Sequence, residues 1–583
     1  MTERAFLAVE ASLTGRRWTG PTEADTRAAE AIAQTASLSL PLARVLARRG
    51  VAPAEAQAFL APALRDLLPD PMTLRDMGPA ADRVLRAVAA HERIAIFADY
   101  DVDGGASAAL LIDWLRNCGC KSTLYIPHRI DEGYGPNVPA MARLAATHDL
   151  IICVDCGTLS HDAIAAASGH ADVIVLDHHL GAETLPPALA VVNPNRQDED
   201  GTLGHLCAAA VVYLLLVEAN RRLRATGRAG PDLMAMLDLV ALATVADVAP
   251  LVGVNRAFVR QGLRVMARRA RPGLVALADV ARMNEAPNTY ALGFLLGPRV
   301  NAGGRVGQAD LGARLLATDD MAEAIALAER LNVLNDERRA IEAAVRIAAQ
   351  AQAEARGVDG PLVWAAGEGW HPGVVGIVAA RLKEAYNRPA VVIGLDGDTG
   401  KGSGRSVGGV DLGAAIQRLA AEGLLEKGGG HRMAAGLTVQ RDQLEAAMAR
   451  LGDLLARQGS GSEGPRDLQI DGLLALSAVT PALIGEIEAA GPFGQSAVAP
   501  RFAMADVAVT ARRVGENHLK LGLRDTNGAR LDAIAFGASD GPLGALLSAP
   551  TSARFHVTGR LSLSTWGGRT RAELRLDDAA PVA

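Results

Sequence analysis

Short, apolar, β-branched runs recur between residues 93 and 179, and each ends in a cluster of acidic or polar residues. The three runs are RIAIFADYDVDGG, LIICVDCGT and ADVIVLDHH. Helical stretches such as ASAALLIDWLRNC and SHDAIAAASG lie between them. Strands that alternate with helices form parallel α/β sheets, and such sheets bind ligands beyond the carboxyl ends of their strands. The sequence therefore predicts an α/β fold with a ligand site formed by these clusters.

Composition limits the classes of protein that fit this pattern. A chain of 583 residues exceeds a single hydrophobic core, and 49% hydrophobic with 21% charged residues excludes a disordered chain. The net charge of −6 excludes a protein that is basic overall, so nucleic acid would bind through local patches. Five cysteines without a framework and the absence of a visible signal peptide or apolar span predict a cytoplasmic protein with no membrane association.

Changes in residue pattern divide the chain into six parts. The run 322–356 contains no Gly or Pro, so we expect one long helix there, with two helices joined at Asn335-Asp336 as the alternative. The predicted parts are an N-terminal helical segment (1–88), an α/β domain with the acidic clusters (89–320), a connecting helix (321–357), a second α/β domain (358–457), a Gly/Ser linker (458–465) and a small antiparallel β-barrel (466–583).

Three carboxylates occur within five residues at the end of the first apolar run. Asp99, Asp101 and Asp103 would point to one face of an extended chain, where their repulsion favours a bound cation. An EF-hand counted from Asp99 would have its glycine at Gly104, but it needs a glutamate where this chain has Leu110. The sequence therefore predicts a cation site that is not an EF-hand.

Further acidic and imidazole groups follow later apolar runs. Asp155 ends the second run, Asp177, His178 and His179 end the third, and Asp247 ends another in ATVADVAPL. Each residue alone is more commonly a strand-end cap or a surface charge. Together, at four predicted strand ends, they can converge on one sheet edge, where mixed Asp/His coordination suits Mn²⁺, or Mg²⁺ with added waters.

These segments resemble a known family. DYDVDG, VDCGT, LDHH and ATVADV are similar to the four motifs of the DHH phosphoesterase superfamily, which is named for its Asp-His-His. Within it, the chain resembles the RecJ family of bacterial 5′→3′ exonucleases specific for single-stranded DNA. Supporting segments are LPDPMTL, HRIDEGYGPN, GPRVNAGGRVG, GSGRS and GGGHRMAAG. One departure is the junction GPFGQSAVAPRF, which lacks the family's Gly-Asn-Pro.

The resemblance implies a fold and a metal site. The fold would be a parallel-sheet DHH catalytic domain, a long connecting helix, a DHHA1-like second α/β domain and a C-terminal OB-fold-like barrel that binds DNA. Two Mn²⁺ or Mg²⁺ ions would be held by Asp99, Asp101, Asp103, Asp155, His178 and Asp247. Asp155 would bridge the ions, and His179 would stand beside the scissile phosphate. Which of the first three aspartates contacts each metal is left open.

The resemblance also assigns phosphate contacts to the second α/β domain. Glycines let backbone N–H groups approach a phosphate, and an Arg or His adds charge-assisted hydrogen bonds. A bare GGGH more commonly marks a turn. Implied catalytic residues are His179, Asp155, Arg405 and His431, and implied DNA- or phosphate-binding residues are Arg299, Arg305, Ser403, Gly404, Arg405, Gly429, Gly430 and His431. The segment 303–305 is interpreted as a phosphate-contacting loop. His371 is a further candidate, because a helix that begins near Val374 would favour an anion there.

One more basic pattern lies outside these motifs. Arg256, Arg260, Arg264 and Arg268 recur every four residues, which would place them along one helical face. Such a face could contact the DNA backbone, and a merely solvated face is an equal alternative.

The implied function is metal-dependent degradation of single-stranded DNA from the 5′ end to mononucleotides, in recombination and repair. A phosphoesterase of the same superfamily acting on short oligonucleotides or cyclic dinucleotides is one alternative. A non-catalytic DNA-binding scaffold is another, although every acidic position is intact. Expected partners are single-stranded DNA, a single-strand-binding protein and a RecQ-type helicase, and we expect a monomer.

Overall fold

The computed structural model describes residues 4–128, 132–461, 466–549, 553–566 and 569–582. The chain folds into two compact units. The first comprises Met1–Pro69, Val248–Arg260 and Gly464–Ala583, and the second comprises Asp70–Asp247 and Gln261–Glu463. Each unit is therefore assembled from segments that are distant in sequence. The domain boundaries expected from the sequence stay a prediction.

A five-stranded parallel sheet lies in the second unit. Three of its strands are buried at every residue, as expected when helices cover both faces. In spatial order the strands are Ser122–Tyr125, Ile94–Ala98, Leu150–Val154, Asp172–Leu176 and Ala190–Val192, and every neighbouring pair is parallel. The three apolar runs form adjacent strands, which confirms the predicted parallel α/β sheet.

Helices follow and surround these strands. Within residues 70–320 the α-helices are Met77–Ala90, Val102–Asn117, Val138–Ala145, His161–Ala167, Ala208–Ala225, Leu237–Ala246, Gly253–Met266, Pro272–Val280, Gly297–Val306 and Leu311–Ala317, and a π-helical turn spans Ala291–Leu296. No helix in the described ranges combines the length and the apolar character needed to cross a membrane.

One continuous helix, Met321–Arg356, follows the first sheet's helices. Its 36 residues span about 54 Å at 1.5 Å per residue. The side chain of Asp320 caps its first turn, and Asn335 is buried in mid-helix, so the chain does not break there. The predicted long connecting helix is confirmed, and the alternative of two joined helices is wrong.

A second sheet lies beyond the long helix, in the same unit. Its strands in spatial order are Lys427–His431, Ala434–Gln440, Thr399–Arg405, Ala390–Asp396 and Val363–Glu368, and all pairs but the last are antiparallel. Helices Pro372–Tyr386, Leu412–Ala421 and Leu444–Ala456 accompany it. This is the predicted second α/β domain. The linker expected at 458–465 is described only to residue 461.

The first unit contains a closed five-stranded barrel. Its strands in order around the barrel are Phe502–Val514, His518–Arg524, Arg530–Ala535, Arg569–Pro581 and Arg554–Trp566, and the last pairs with the first. One pair, between the third and fourth of these strands, is parallel. The short strand Gly472–Leu473 adds to the first strand. Barrel formation is confirmed, with one parallel pair in place of a fully antiparallel arrangement.

The N-terminal residues pack with this barrel. The segment contains helices Glu23–Ala36, Leu40–Ala47, Ala56–Leu60 and Leu64–Leu67, and the C-terminal part adds helices Pro481–Glu488 and Pro542–Leu547. The strand Arg16–Thr19 pairs in parallel with Arg466–Gln469. Ile32 and Leu46 share one hydrophobic cluster with Phe502 and Val557. The first and last parts of the chain therefore build a common core.

Candidate active site

Three aspartates lie on the turn between the strand Ile94–Ala98 and the helix Val102–Asn117. Asp101 caps this helix: its Oδ1 accepts hydrogen bonds from the backbone N–H groups of Asp103 (2.9 Å) and Gly104 (3.1 Å). Such a cap satisfies amides that the helix itself leaves unpaired. The expectation that the aspartates alternate along one extended chain is therefore wrong, because the chain turns into a helix directly after the strand.

Asp103 is buried beneath this turn. Its carboxylate accepts hydrogen bonds from the N–H groups of Ala208 (2.7 Å) and Ala209 (2.8 Å), in the first turn of the helix Ala208–Ala225. The positive end of the helix dipole favours a negative charge there. Burial nevertheless raises the pKa of Asp103 above its ordinary value, against the opposing effects of His178 and the helix amides.

Asp155 follows the buried strand Leu150–Val154. Its φ of 59° lies in the left-handed region, which L-residues other than Gly, Asn and Asp rarely adopt. The residue is 2% exposed, and its Oδ1 has no hydrogen-bond partner within the described part of the chain. Burial, together with the surrounding aspartates, raises the pKa of Asp155 well above its ordinary value. A buried carboxylate with an unpaired oxygen is typical of a functional site.

Asp177 holds the two histidines that follow it. Its Oδ1 accepts from the backbone N–H groups of His178 (2.8 Å) and His179 (3.2 Å), and Thr158 donates to Oδ2 through its N–H (3.1 Å) and hydroxyl (2.7 Å). Nδ1 of His179 lies 2.8 Å from Asp177 Oδ1. Burial lowers the pKa of His179, but the hydrogen bond and charge of Asp177 outweigh it and raise that pKa to about 9.

His178 lies among the other carboxylates. Its Nε2 is 3.3 Å from Asp155 Oδ1, 3.6 Å from Asp103 Oδ2 and 3.7 Å from Asp247 Oδ2. This nitrogen is buried and has no hydrogen-bond partner among the described residues. Asp247 follows the helix Leu237–Ala246, so its expected place at a strand end is wrong. Burial, followed by Asp103 and Asp101, raises the pKa of Asp247 to about 9.

These side chains form overlapping groups that fit divalent cations. Among the described residues, the groups with ligand atoms all within 4.8 Å of one another are Asp99, Asp101 and Asp155; Asp103, His178 and Asp247; and Asp155, His178 and His179. Asp155 and His178 each occur in two groups. Oxygen donors with one or two imidazoles are ligands suited to Mn²⁺, and to Mg²⁺ with waters. The unpaired Asp155 Oδ1 and His178 Nε2 are the buried atoms that a cation would satisfy.

The helix Gly297–Val306 packs against the aspartate turn. Asn301 Oδ1 accepts a hydrogen bond from the N–H of Val102 (2.9 Å). A Cβ at Gly304 would lie 1.9 Å from Cδ2 of Tyr100, so only glycine permits this approach. The expected loop at 303–305 is therefore wrong. Its glycines lie inside a helix, where they allow close packing.

The C-terminal end of this helix reaches the second α/β domain. Nη1 of Arg305 donates to the carbonyl of Gly373 (3.1 Å), in the first turn of the helix Pro372–Tyr386. His371 caps that helix, because its Nδ1 accepts from the N–H of Gly373 (3.0 Å). The sequence placed the start of this helix near Val374, two residues further along the chain.

Arg405 and Ser403 lie beside the same helix. Nη1 of Arg405 donates to Ser403 Oγ (3.0 Å) and to the carbonyl of Gly404 (2.8 Å). A Cβ at Gly376 would lie 3.0 Å from Ser403 Oγ and 3.1 Å from Arg405 Nη2. The structure therefore brings Arg305, Ser403 and Arg405 together around the first turns of one helix.

The glycine-rich KGGGH segment forms the edge strand Lys427–His431. Gly430 has a φ of 146°, and a Cβ there would lie 2.5 Å from the carbonyl oxygen of Ala434. His431 is exposed and pairs with Ala434, which pairs in turn with Arg405 on the next strand. The sheet register therefore places His431 and Arg405 at the same level, two strands apart.

Two predicted DNA contacts are engaged within the protein. The guanidinium of Arg299 donates to Asn332 Oδ1 (2.9 Å) and to the carbonyl of Leu295 (2.7 Å). Arg256 is 5% exposed, and the helix Gly253–Met266 ends before Arg268. A continuous face of four arginines, whether bound to DNA or solvated, is therefore wrong.

Several residues were not assigned a role from the sequence. The hydroxyl of Tyr134 donates to the carbonyl of Asp155 (3.3 Å) and lies 3.4 Å from His179 Nε2. Tyr290 and Phe294 form an exposed, stacked pair with ring centroids 5.0 Å apart. Asp177 lies in the Asp-His-His motif, which was a usable signal. Tyr134, Tyr290 and Phe294 had no signal beyond their position in or near segments that carry the resemblance. Residues 129–131 of HRIDEGYGPN lie outside the described residues.

The parallel sheet, the acidic cluster at its carboxyl edge and the second α/β domain together define a DHH-type protein. Comparison with family models agrees: residues 93–244 match the DHH family, N-terminal domain, residues 359–457 match the DHHA1 domain, and residues 470–578 match the RecJ OB domain. The last match identifies the closed barrel as an OB domain, as the sequence resemblance implied.

Individual relatives define the family more closely. The chain is 37% identical over 566 residues to the single-stranded-DNA-specific exonuclease RecJ of Dickeya dadantii, covering 94% of this chain and 97% of that relative. It also resembles the crystal structure of RecJ in complex with Mn²⁺ from Thermus thermophilus, with a TM-score of 0.81, 29% identity and coverage of 96% and 79%. The Mg²⁺ complex from that organism gives a TM-score of 0.74, 28% identity and coverage of 97% and 78%. The chain belongs to the RecJ family.

Proposed function

We propose that the protein is a metal-dependent exonuclease that degrades single-stranded DNA from the 5′ end to mononucleotides, in recombination and DNA repair. The observation that supports this proposal most directly is that one helix, Gly297–Val306, connects the acidic cluster with the group formed by Arg305, Ser403 and Arg405. Asn301 binds the aspartate turn, and Arg305 binds the start of the helix Pro372–Tyr386. Asn301 and Arg305 are four residues apart on this helix, which is about 6 Å of helical rise. A strand whose 5′ end is held beside Arg305 can therefore reach the acidic cluster.

The acidic cluster would hold two cations in two neighbouring sets of ligands. Asp99, Asp101 and Asp155 form the first set, and Asp103, His178 and Asp247 form the second. Asp155 lies within 4.8 Å of the first set's ligand atoms and 3.3 Å from His178 Nε2, which supports it as the bridging ligand. The related crystal structures of RecJ in complex with Mn²⁺ and with Mg²⁺ support these ions. Bound there, they would polarise the scissile phosphate and lower the pKa of the attacking water.

His179 would contact the scissile phosphate. A carboxylate only accepts hydrogen bonds, so the 2.8 Å contact with Asp177 assigns the donor role to Nδ1 of His179. Nε2 then remains for the substrate, with the hydroxyl of Tyr134 3.4 Å away. A ring held in this orientation can stabilise charge on a phosphoryl oxygen as it develops. Asp177 acts as the residue that positions His179.

The cluster in the second α/β domain would hold the 5′ end of the strand. The guanidinium of Arg405 can bind a phosphate oxygen while Ser403 Oγ fixes its position. On the edge strand, backbone N–H groups of Gly429 and Gly430 and the exposed imidazole of His431 are further contacts. Arg305 and Gly404 would complete this cluster. Arg299, six residues before Arg305 on the same helix, would act by positioning the helix, because its guanidinium is bound to Asn332.

The proposal also covers the role of the barrel, the location of the protein in the cell and its partners. The OB barrel would bind the strand away from its 5′ end, as such barrels bind single strands in basic grooves. A cytoplasmic location agrees with the five free cysteines. A monomer supplied with DNA by a single-strand-binding protein and a RecQ-type helicase is part of the proposal. The family resemblance is its support.

The proposal is tested with substrates of different length and label position. Single strands labelled at the 5′ or the 3′ end, a dinucleotide and a cyclic dinucleotide are incubated with Mn²⁺ or with EDTA. The proposal predicts immediate release of a labelled mononucleotide from the 5′-labelled strand, only with metal. Preferred cleavage of the dinucleotides would favour a small-substrate phosphoesterase, and binding without cleavage would favour a scaffold.

A further inference from the structure

A cavity of about 850 Å³ lies within the first unit, and all of its lining residues belong to that unit. It is formed by the N-terminal helices, the segment after Val248 and the start of the C-terminal part. Its most unusual feature is its positive charge. The lining arginines are Arg16, Arg48, Arg49, Arg256 and Arg501. No metal or phosphate cluster described above contributes to this cavity.

Arg256 is buried with one nitrogen unpaired. Its Nη2 donates to the carbonyls of Phe59 (3.1 Å), Ala490 (3.1 Å) and Gly491 (3.0 Å), and the guanidinium lies 3.8 Å from the centroid of the Phe59 ring. Its Nη1 has no hydrogen-bond partner within the described ranges. The residue is only 5% exposed. Because a buried, charged donor without a partner is costly, an anion close to this guanidinium would be stabilising.

Arg49 adds a second guanidinium without a counterion. It donates to the carbonyls of Val498 (2.7 Å) and Ala490 (3.4 Å). Within the described part of the chain, no carboxylate lies within 4.0 Å of Arg49 or Arg256, whereas Arg48 is 3.7 Å from Asp471. Burial lowers the pKa of Arg49, and burial together with the neighbouring arginines lowers that of Arg256 to about 10. Asp471 attracts Arg49 from beyond 4.0 Å and is shared with Arg48, so the charge of this pair is only partly compensated, and an anion would add to the compensation.

The volume and the other lining residues indicate which kind of molecule the cavity can hold. The volume is within the range of sites for organic molecules and far exceeds the size of one phosphate. Val51, Phe59 and Leu251 give the cavity an apolar wall. The exposed carboxylates of Glu55 and Asp467 can accept hydrogen bonds from hydroxyl or amino groups, and they disfavour a ligand that is anionic throughout. Exposed lining residues, among them Leu67, Val252 and Val498, leave the cavity open to solvent.

We propose that this cavity binds a nucleotide, with its phosphate between Arg49 and Arg256 and its nucleoside against the apolar wall. The phosphate can come from a free mononucleotide or from a nucleotide within a DNA strand. The volume of the cavity, which is that of a site for a small organic molecule, favours the free mononucleotide. This site is separate from the proposed hydrolysis and would respond to the kind of product that the reaction releases.

The test is titration calorimetry of the full-length protein with thymidine 5′-monophosphate in EDTA. We expect Arg49→Gln and Arg256→Met each to weaken binding about tenfold or more, because each removes a charge-assisted hydrogen bond to the phosphate. Arg27→Gln removes an exposed arginine of the same unit outside the cavity and is the matched control. If Arg256→Met does not fold, the test relies on Arg49→Gln and on Ala58→Trp, which fills the cavity; both should weaken nucleotide binding.

Two further experiments distinguish a free mononucleotide from a phosphate within a strand, and binding in the cavity from binding at Arg405. A 15-residue oligothymidine is titrated by fluorescence anisotropy, and Arg405→Gln is included. Weaker binding of the oligonucleotide alone in the cavity variants would assign the site to a strand phosphate. The proposal is overturned if both ligands bind the cavity variants as they bind Arg27→Gln, if neither binds the unmodified protein, or if only Arg405→Gln abolishes nucleotide binding.

Discussion

Replacing Asp155 by asparagine should separate stability from catalysis. The carboxylate is 2% exposed, and its ligand atom lies within 4.8 Å of those of Asp99 and Asp101. Two unit charges at that distance repel by about 3 kcal/mol at an effective dielectric constant of about 20. The attraction to His178 offsets part of this repulsion. Asparagine keeps the shape and tolerates the positive φ, so Asp155→Asn should stabilise the metal-free protein by about 1–3 kcal/mol.

Asp155→Asn should raise the free energy of unfolding, because the pKa of Asp155 is raised in the folded protein. Burial and the surrounding aspartates raise the pKa of Asp155 in the folded protein. At a pH above the ordinary carboxyl pKa of about 4, the unfolded chain holds this charge at no cost, whereas the fold does not. The stabilisation by asparagine should therefore be present at neutral pH and disappear as the pH falls below the ordinary value. Thermal unfolding in EDTA measures it as a higher midpoint.

With Mn²⁺ bound, the unmodified protein should unfold at a higher temperature than Asp155→Asn. Mn²⁺ should raise the unfolding midpoint of the unmodified protein and raise that of Asp155→Asn much less, because a ligand that binds only the folded state stabilises it. Nuclease activity should fall by more than about 10³-fold, which corresponds to roughly 4 kcal/mol of transition-state stabilisation. Asp162→Asn, at an exposed carboxylate, is the control. A variant that keeps a tenth of the activity, or unfolds earlier than the unmodified protein in EDTA, would show that Asp155 is not a repelled metal ligand.

Three further predictions concern positioning, the strand end and base stacking. Asp177→Asn should lower kcat about 10- to 100-fold, because the charge-assisted hydrogen bond to His179 is lost, while Mn²⁺ binding by calorimetry is retained; lost Mn²⁺ binding would contradict a positioning role. Arg405→Gln should raise KM for 5′-phosphorylated strands about tenfold and leave 5′-hydroxyl strands unchanged; equal effects on both would contradict it. Phe294→Ala should weaken long-strand affinity by about 1–3 kcal/mol without affecting a dinucleotide, and unchanged anisotropy titrations would exclude stacking on the exposed Tyr290–Phe294 pair.

The central sheet and the meeting of the acidic clusters could be predicted from the sequence. Buried parallel strands are continuous apolar runs, and their carboxyl ends share one edge of the sheet. Asp155 and His178 therefore came together as expected. The spacing did not predict how the helix starts at Asp101 or that Asp247 follows a helix, because a short apolar run fits a buried helix as well as a strand.

The packing of the N-terminus could not be predicted. Ile32 and Leu46 share a hydrophobic cluster with Phe502 and Val557, about 500 residues apart in the chain. No local periodicity reports such a contact, because periodicity shows which face is buried and not what covers it. Removing the barrel by cutting the predicted linker would expose this shared core. Single substitutions therefore test DNA binding by the barrel better than truncation does.

The glycine-rich segment near residue 303 was misinterpreted for a related reason. Glycines that approach a phosphate and glycines that allow two backbones to pack closely look alike in sequence. Gly304 packs against the Tyr100 ring, inside a helix. Asn301, on the same helix, then fixes the turn that carries the aspartates. Only the structure distinguishes the two uses of glycine.

Degradation from the 5′ end by a metal-dependent site is tested most directly by a time course with single strands labelled at either end, with Mn²⁺ and with EDTA. We expect labelled mononucleotide from the 5′-labelled strand at the earliest times and a stepwise shortened ladder from the 3′-labelled strand. Both should be absent in EDTA and in Asp155→Asn. Mononucleotide released first from the 3′ label, or cleavage that continues in EDTA, would contradict the proposed function.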